Sequence, residues 1–377
     1  MHYPPPMLPP MLSFLGTATF MIRQQAVGGA DIAVAVRCDA TGRVLCWCLT
    51  PPTQLRFAVM CDITISCAGT LNDGRSFRCP DLVPISWPSD GLSPDALVFR
   101  AQQFIIGSDG AAPESLFALT NLLLPNFSSH AAASLSLGDV TATLTPGPDY
   151  SERMKHLRAY KGTDVTATLC LSSSISGVEL CTVAHDLCLI LSVLTGHKVN
   201  WVSRQTATAL IFEDRVTKPC SGWPVIGTLE KVLGKEWGWK DLLGETLRAL
   251  PQFKLRSACY PMRTGLIDSW IDARIGTDFL ESRCLKTVAV LEVIKSAYRD
   301  NRQLKGSFRD LLKGVHLDLA VSIPTDVLDE IVKLRNCIVH EGTFLSPPST
   351  KKTKVEQYEM LCHYSDRLMV TLAGHSL

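Results

Sequence analysis

Leu334-Arg335-Asn336-Cys337-Ile338-Val339-His340-Glu341-Gly342 lies near the C-terminus, and the rest of the chain is read outward from it. It closes a segment, Thr325 to Val339, in which Val327, Ile331, Leu334 and Ile338 recur at steps of four and three. That is the period of a helix with one buried face. Thr325, just after Pro324, reads as its N-cap, and Gly342 as its stop. At about 100° per residue, Asn336 and His340 fall one turn apart on the same face, away from the apolar stripe. Arg335 lies one step round, with a side chain long enough to reach the same edge. A guanidinium, an amide and an imidazole are thereby gathered at one helix end.

Those three groups suit phosphodiester chemistry. An imidazole titrates near neutrality and can carry a proton to or from a ribose or leaving-group oxygen. A guanidinium stays charged and can hold a phosphate through paired donors as negative charge builds. The Asn336 amide can orient either partner. The set calls for no metal ligand and no cofactor.

Three further segments have helical period. Asp278 to Arg299 carries Leu280, Cys284, Val288, Leu291 and Ile294 as a buried stripe, with Asp278 and Glu281 at capping-box spacing. Ser307 to Lys313 is a shorter helix. Val355 to Ala373 places Tyr358, Leu361, Ser365, Leu368 and Leu372 on one side. Glu292, inside the first of these, is the acidic side chain expected to face the motif. The linker from Thr343 to Lys354 contains Lys351, Lys352 and Lys354. It reads either as a mobile basic loop that steers an RNA backbone past the motif or as an ordinary solvated loop.

The Arg335-Asn336-x-x-x-His340 arrangement, at the end of the third of four C-terminal helices, resembles the signature of HEPN domains. The wording Leu334-Arg335-Asn336…His340-Glu341-Gly342 resembles the Apea-like HEPN branch, in which the bundle follows a β-rich region. The resemblance covers roughly residues 265–377. It implies a metal-independent endoribonuclease, of the kind found in toxin–antitoxin and antiphage abortive-infection systems. It also implies a homodimer in which two motif copies form one composite site, with RNA as substrate and a phage-derived trigger or an antitoxin as further partner. Arg335, Asn336 and His340 are the residues this assigns to catalysis. The looser spacing of the signature also fits Arg309…His316, with Asp310 as the polar follower. The rival reading is a non-catalytic HEPN module that dimerises or binds, with the β-rich region as a ligand sensor.

The composition sets limits. Lys+Arg 37 against Asp+Glu 36 gives a net charge of +1, so no global field draws in nucleic acid and an RNA role must rest on a local site. The 14 cysteines form no CxxC pair and sit mostly in apolar runs, so they read as small buried hydrophobes of a reducing compartment. Cys337-x-x-His340 with Cys362-His363 makes a poor zinc set, because adjacent Cys and His do not normally ligate one ion. The longest apolar run, Leu187 to Leu194, is too short to span a bilayer, and no basic leader opens the chain. A cytoplasmic protein with no membrane association is expected.

Upstream of the helices the pattern is that of strands. Residues 1–15 read as a Pro-rich tail. From there to residue 260 the expectation is a β-rich domain, sandwich- or barrel-like, with one inserted helix between Gly177 and Leu194. Asp31 to Arg37 and Val44 to Cys48 flank a hairpin turn at residues 39–42. Leu55 to Ser66 alternates as a strand, and Asn72-Asp73-Gly74 is a turn. Further strands are expected over Ala96–Ile106, Ala132–Leu144, Thr163–Leu169 and Val199–Phe212. The segment Cys220 to Pro251, with Trp223, Trp237 and Trp239, reads as a connector, and residues 261–377 as the all-α bundle. The fold class is α+β.

Overall fold

The computed structural model describes residues 11–39, 43–60, 65–85, 96–108, 110, 112–124, 127, 132–160, 163–175, 179–214, 239–260, 264–275 and 279–375. The α+β reading holds. A β-rich N-terminal region precedes a run of helices, and the strands join into one antiparallel sheet whose first part closes on itself.

The closed part is a six-stranded barrel made of β1 (Met11–Ile22), β2 (Gln25–Asp39), β3 (Val44–Cys48), β4 (Ile65–Leu71), β5 (Ser76–Pro84) and β6 (Leu97–Ala101). Neighbours run β4-β1-β2-β3-β6-β5, and a β4–β5 pairing seals the ring. Alternation sends Phe20, Val34, Val36, Cys46, Cys67, Cys79 and Phe99 inward, where they form a dry core. Cys38 and Cys48 join them as free thiols, in keeping with their reading as small hydrophobes. Strands β1 and β4 approach so closely that a Cβ on Gly69 would lie 1.9 Å from the Thr17 carbonyl oxygen.

Two expectations fail here for physical reasons. Residues 11–15 are not tail. They begin β1, paired from Met11↔Asp39 onward, and Leu12 and Phe14 pack on the barrel core. Leu55 to Met60 is not strand but part of a helix, α1 (Thr53–Met60). Pro52 accepts the first turn's hydrogen bonds from Leu55 and Arg56, and Leu55 and Val59, one turn apart, both face the barrel core. The expected hairpins hold: β2 pairs with β3, and Gly74, at φ +84°, turns β4 into β5. Residues 40–42 of the first turn lie outside the described residues.

Beyond Gln102 the sheet opens. β7 (Gln103–Gly107) continues the line of β6 along β5, then turns the sheet toward β13 (Ala209–Glu213), β12 (Asn200–Gln205), β8 (Glu114–Thr120), β11 (Val165–Ser173), β10 (Val140–Pro146) and β9 (Ala133–Leu137). A short helix, α2 (Tyr150–Tyr160), joins β10 to β11. The inserted helix α3 (Leu180–Thr195) is buried along most of its length and ends at Gly196 in the left-handed conformation.

The helical region starts earlier than residue 261. Its first helix, α4 (Trp239–Cys259), runs through Pro251, so the expected connector is partly helix; Trp223 and Trp237 lie outside the described residues. Then come α5 (Thr264–Ile275), α6 (Leu280–Arg302), α7 (Phe308–Leu319), α8 (Thr325–Glu341) and α9 (Lys354–Leu372). Asp278, expected to cap α6, also lies outside the described residues. α8 is preceded by Pro324 at the N-cap, and Thr325 is its first helical residue. α9 opens on a capping box between Thr353 and Glu356.

The hydrophobic core does not divide at residue 260. Phe117, Leu119, Leu144, Leu169 and Trp201 of the open sheet, Leu187 and Leu191 of α3, and Leu243, Trp270, Leu291, Leu334 and Leu368 of the helices belong to one buried cluster. The barrel has the other core. The helices therefore rest on β9 and α3 through α4, α5 and α9, and α6 and α8 pack on the other helices. Among the described residues no helix is long and apolar enough to cross a membrane.

Candidate functional site

α8 presents the motif by burying its other side. Leu328, Ile331, Leu334 and Ile338 are in the core, and Gly342, at φ +67°, ends the helix. Asn336, Val339 and His340 are thereby exposed and Arg335 is half-buried at the edge. Asn336 and His340 stand one turn apart, about 6 Å along the axis. Cys337 packs against the core, and burial, with the Glu341 charge, pushes its thiol up.

Arg335 is held on three sides. Its Nε and Nη2 donate to Glu292 Oε1 of α6 at 3.0 and 2.6 Å, and its Nη1 donates to Asn336 Oδ1 at 3.1 Å. Its guanidinium carbon lies 5.2 Å from the centre of the Phe308 ring, at the start of α7. Glu292 is thus placed beside the motif as expected from its position on α6. Its second oxygen accepts from Lys295 Nζ at 2.5 Å, and Lys295 sits 5.5 Å from the same Phe308 ring. Burial pushes the Glu292 carboxyl up, but the hydrogen bonds from Lys295 and Arg335 outweigh it, and the group lies below the usual glutamate range. Lys295 and Phe308 were not singled out from the sequence. The one available signal was the three-residue spacing from Glu292 to Lys295, and Phe308 gave none.

The three loop lysines do not gather at the motif. Lys352 forms an ion pair with Glu330, whose other oxygen accepts from Thr350 Oγ1 at 2.9 Å. Glu330 is ten residues before His340, about 15 Å along α8. Lys351 lines a cavity of about 510 Å³ beside Asp326, Asp329 and Glu330, on that same far half of the helix. Lys354 donates to Glu281 Oε1 at 3.1 Å, at the beginning of α6. The linker is a docked segment on acidic residues, not a free basic strand at the motif.

The second Arg/His match does not make a site either. Arg309 is ion-paired with Asp329 of α8. His316 points into the core, where its Nε2 is 2.6 Å from Tyr364 Oη of α9 and burial holds its pKa down to about 4. His185 and Asp186, adjacent on α3, are half-buried, and burial raises the Asp186 carboxyl while the Lys254 charge opposes it.

The chemistry available at the α8 end is thus an exposed imidazole, an amide fixed by a guanidinium, and a second cation behind a shared carboxylate. No protein-family model matches the chain, and neither the curated proteins nor the solved structures contain a match to it.

Proposed function

We propose that the chain is a metal-independent endoribonuclease of the HEPN type, an effector of antiphage defence or a toxin, acting from the α8 end. The observation that carries the reading is the Arg335–Asn336 hydrogen bond of 3.1 Å on the helix face that exposes His340 one turn further on. In this reading an imidazole takes the proton of a ribose 2′-hydroxyl as its oxygen attacks the adjacent phosphorus. Arg335 stabilises the charge on the phosphoryl oxygens, the bond to the 5′-oxygen breaks, and that oxygen leaves protonated. The products are a 2′,3′-cyclic phosphate and a 5′-hydroxyl end. One His340 supplies base or acid, and a second copy of the chain would supply the other. Val293 of α6, next to Glu292, and Val339 of α8, next to His340, are both exposed and give apolar surface for such a homodimer.

The test is incubation of purified wild type and His340→Ala with single-stranded RNA in excess chelator, followed by end-group analysis. Cyclic-phosphate fragments from wild type and intact RNA from His340→Ala are expected. Equal cutting by both chains overturns the assignment of His340. The alternative is a binding module without catalysis, favoured by the occupation of two Arg335 donors by Glu292. Intact RNA with wild type, together with RNA retained on the protein, would support it.

A further inference from the structure

Glu292, Lys295 and Arg335 form a mostly buried cluster, with side-chain exposures of 28%, 14% and 22%. Two cations meet one carboxylate, both lying against the Phe308 ring, so the cluster carries a surplus positive charge. Arg299, one turn beyond Lys295, pairs with Asp300 and adds a further electrostatic pull on Glu292. Asp326, Asp329 and Glu330 of α8 lie on its other half and are met there by Arg309, Lys351 and Lys352, while Glu341 follows His340 at the end of the helix. Within the cluster itself two cations share one carboxylate, and one of them, Arg335, is hydrogen-bonded to Asn336.

The way the carboxylate is held is specific. One oxygen takes both Arg335 donors, at 3.0 and 2.6 Å, and the other takes Lys295, at 2.5 Å. A phosphodiester offers the same face: two non-bridging oxygens sharing one negative charge. The third Arg335 nitrogen, Nη1, already donates to Asn336, on the imidazole side.

We propose that Glu292 stands in the seat of a substrate phosphodiester, and that Lys295 joins Arg335 as the second cation holding that phosphate when it displaces the carboxylate. This rests on the proposed ribonuclease reading and adds two things to it: Lys295 is a phosphate-binding residue, and Glu292 is an internal competitor. A plain structural brace across α6, α7 and α8 makes the opposite forecast for Glu292, since neutralising it would then weaken the site.

The experiment is equilibrium binding of a fluorescently labelled single-stranded oligodeoxynucleotide, which has no 2′-hydroxyl to react, at fixed ionic strength. Glu292→Gln is expected to bind about fivefold tighter than wild type, and Lys295→Met about tenfold weaker, the loss of one charge-assisted contact. Lys295→Arg restores binding. A folded Glu292→Gln that binds no tighter than wild type, or a Lys295→Met that binds equally well, overturns the proposal. If Glu292→Gln does not fold, Glu292→Asp replaces it: the shorter side chain cannot span both cations, so tighter binding is again required. Cleavage of RNA by His340→Ala, run in parallel, keeps the two claims apart. Activity there removes the ribonuclease mechanism and leaves the order of oligonucleotide affinities to decide the seat.

Discussion

Arg335 and Glu292, 43 positions apart, are joined across α6 and α8 by two hydrogen bonds of 3.0 and 2.6 Å to a single carboxylate oxygen. The pairing uses two of the guanidinium's donor directions and leaves the third on Asn336. Orientation, as well as charge, is therefore what the residue contributes.

It follows that lysine cannot replace it. An ammonium on a flexible stem can meet Glu292 or Asn336, but it has no planar fork with which to hold both. Arg335→Lys is expected to keep the fold and lower the RNA cleavage rate by roughly 10²-fold, the scale of losing one transition-state donor. Single-turnover cleavage measures it. Activity within a factor of about three of wild type would remove orientation from the account.

The docked linker makes an opposite forecast. Lys351, Lys352 and Lys354 engage or face acidic groups at the far half of α8 and the start of α6. The triple alanine variant should cut RNA within about twofold of wild type, since the lysines lie against acidic groups and Glu330, which holds Lys352, is about 15 Å from His340 along the helix. A tenfold loss would return the linker to the substrate path.

His316 predicts how stability depends on pH. Burial holds its pKa at about 4, while an unfolded chain protonates histidine near the ordinary 6.5. Above pH 6.5 both states are neutral and the stability is complete. As pH falls from 6.5 toward 4 only the unfolded chain gains the proton, and about 3 kcal/mol is lost over that window. Urea unfolding at pH 7 and pH 4.5 should show this drop in wild type and a smaller one in His316→Gln. Equal drops would place its origin in other groups.

Gly69 tests the barrel. A methyl group there would meet the Thr17 carbonyl oxygen at 1.9 Å and the Ala18 Cα at 2.7 Å, both backbone atoms that cannot rotate away. Gly69→Ala should cost more than about 2 kcal/mol by forcing β1 and β4 apart. Thermal unfolding reports it, and an unchanged melting temperature would contradict the close strand approach.

Much of the helical region was legible because its signals are local. The stripe Cys284, Val288, Leu291, Ile294 is buried in α6, Leu361 and Leu368 are buried in α9, and Gly342 and Gly196 end their helices in the left-handed conformation. Period and cap are set within a few residues, so they survive without knowledge of the fold. Leu55 to Met60 misled because an apolar alternation also contains four-residue steps, and the choice between strand and helix fell to Pro52 and to the barrel core that takes Leu55 and Val59. The candidate site was legible in part: Arg335, Asn336 and His340 share one helix end, whereas Lys295 and Phe308 enter from two other helices.

By itself the sequence determined an α+β chain, strands followed by helices, with a guanidinium, an amide and an imidazole at the end of α8. Each of these depends on neighbours within one or two turns or along one strand. Tertiary structure decided the β1–β4 and β3–β6 pairings of the barrel, the single core shared by the open sheet, α3 and the helices, and the docking of the basic linker on Glu330. It also decided that Glu292 meets Arg335. Those contacts join residues tens of positions apart, and their partners are chosen by packing and charge across elements, which no local period records.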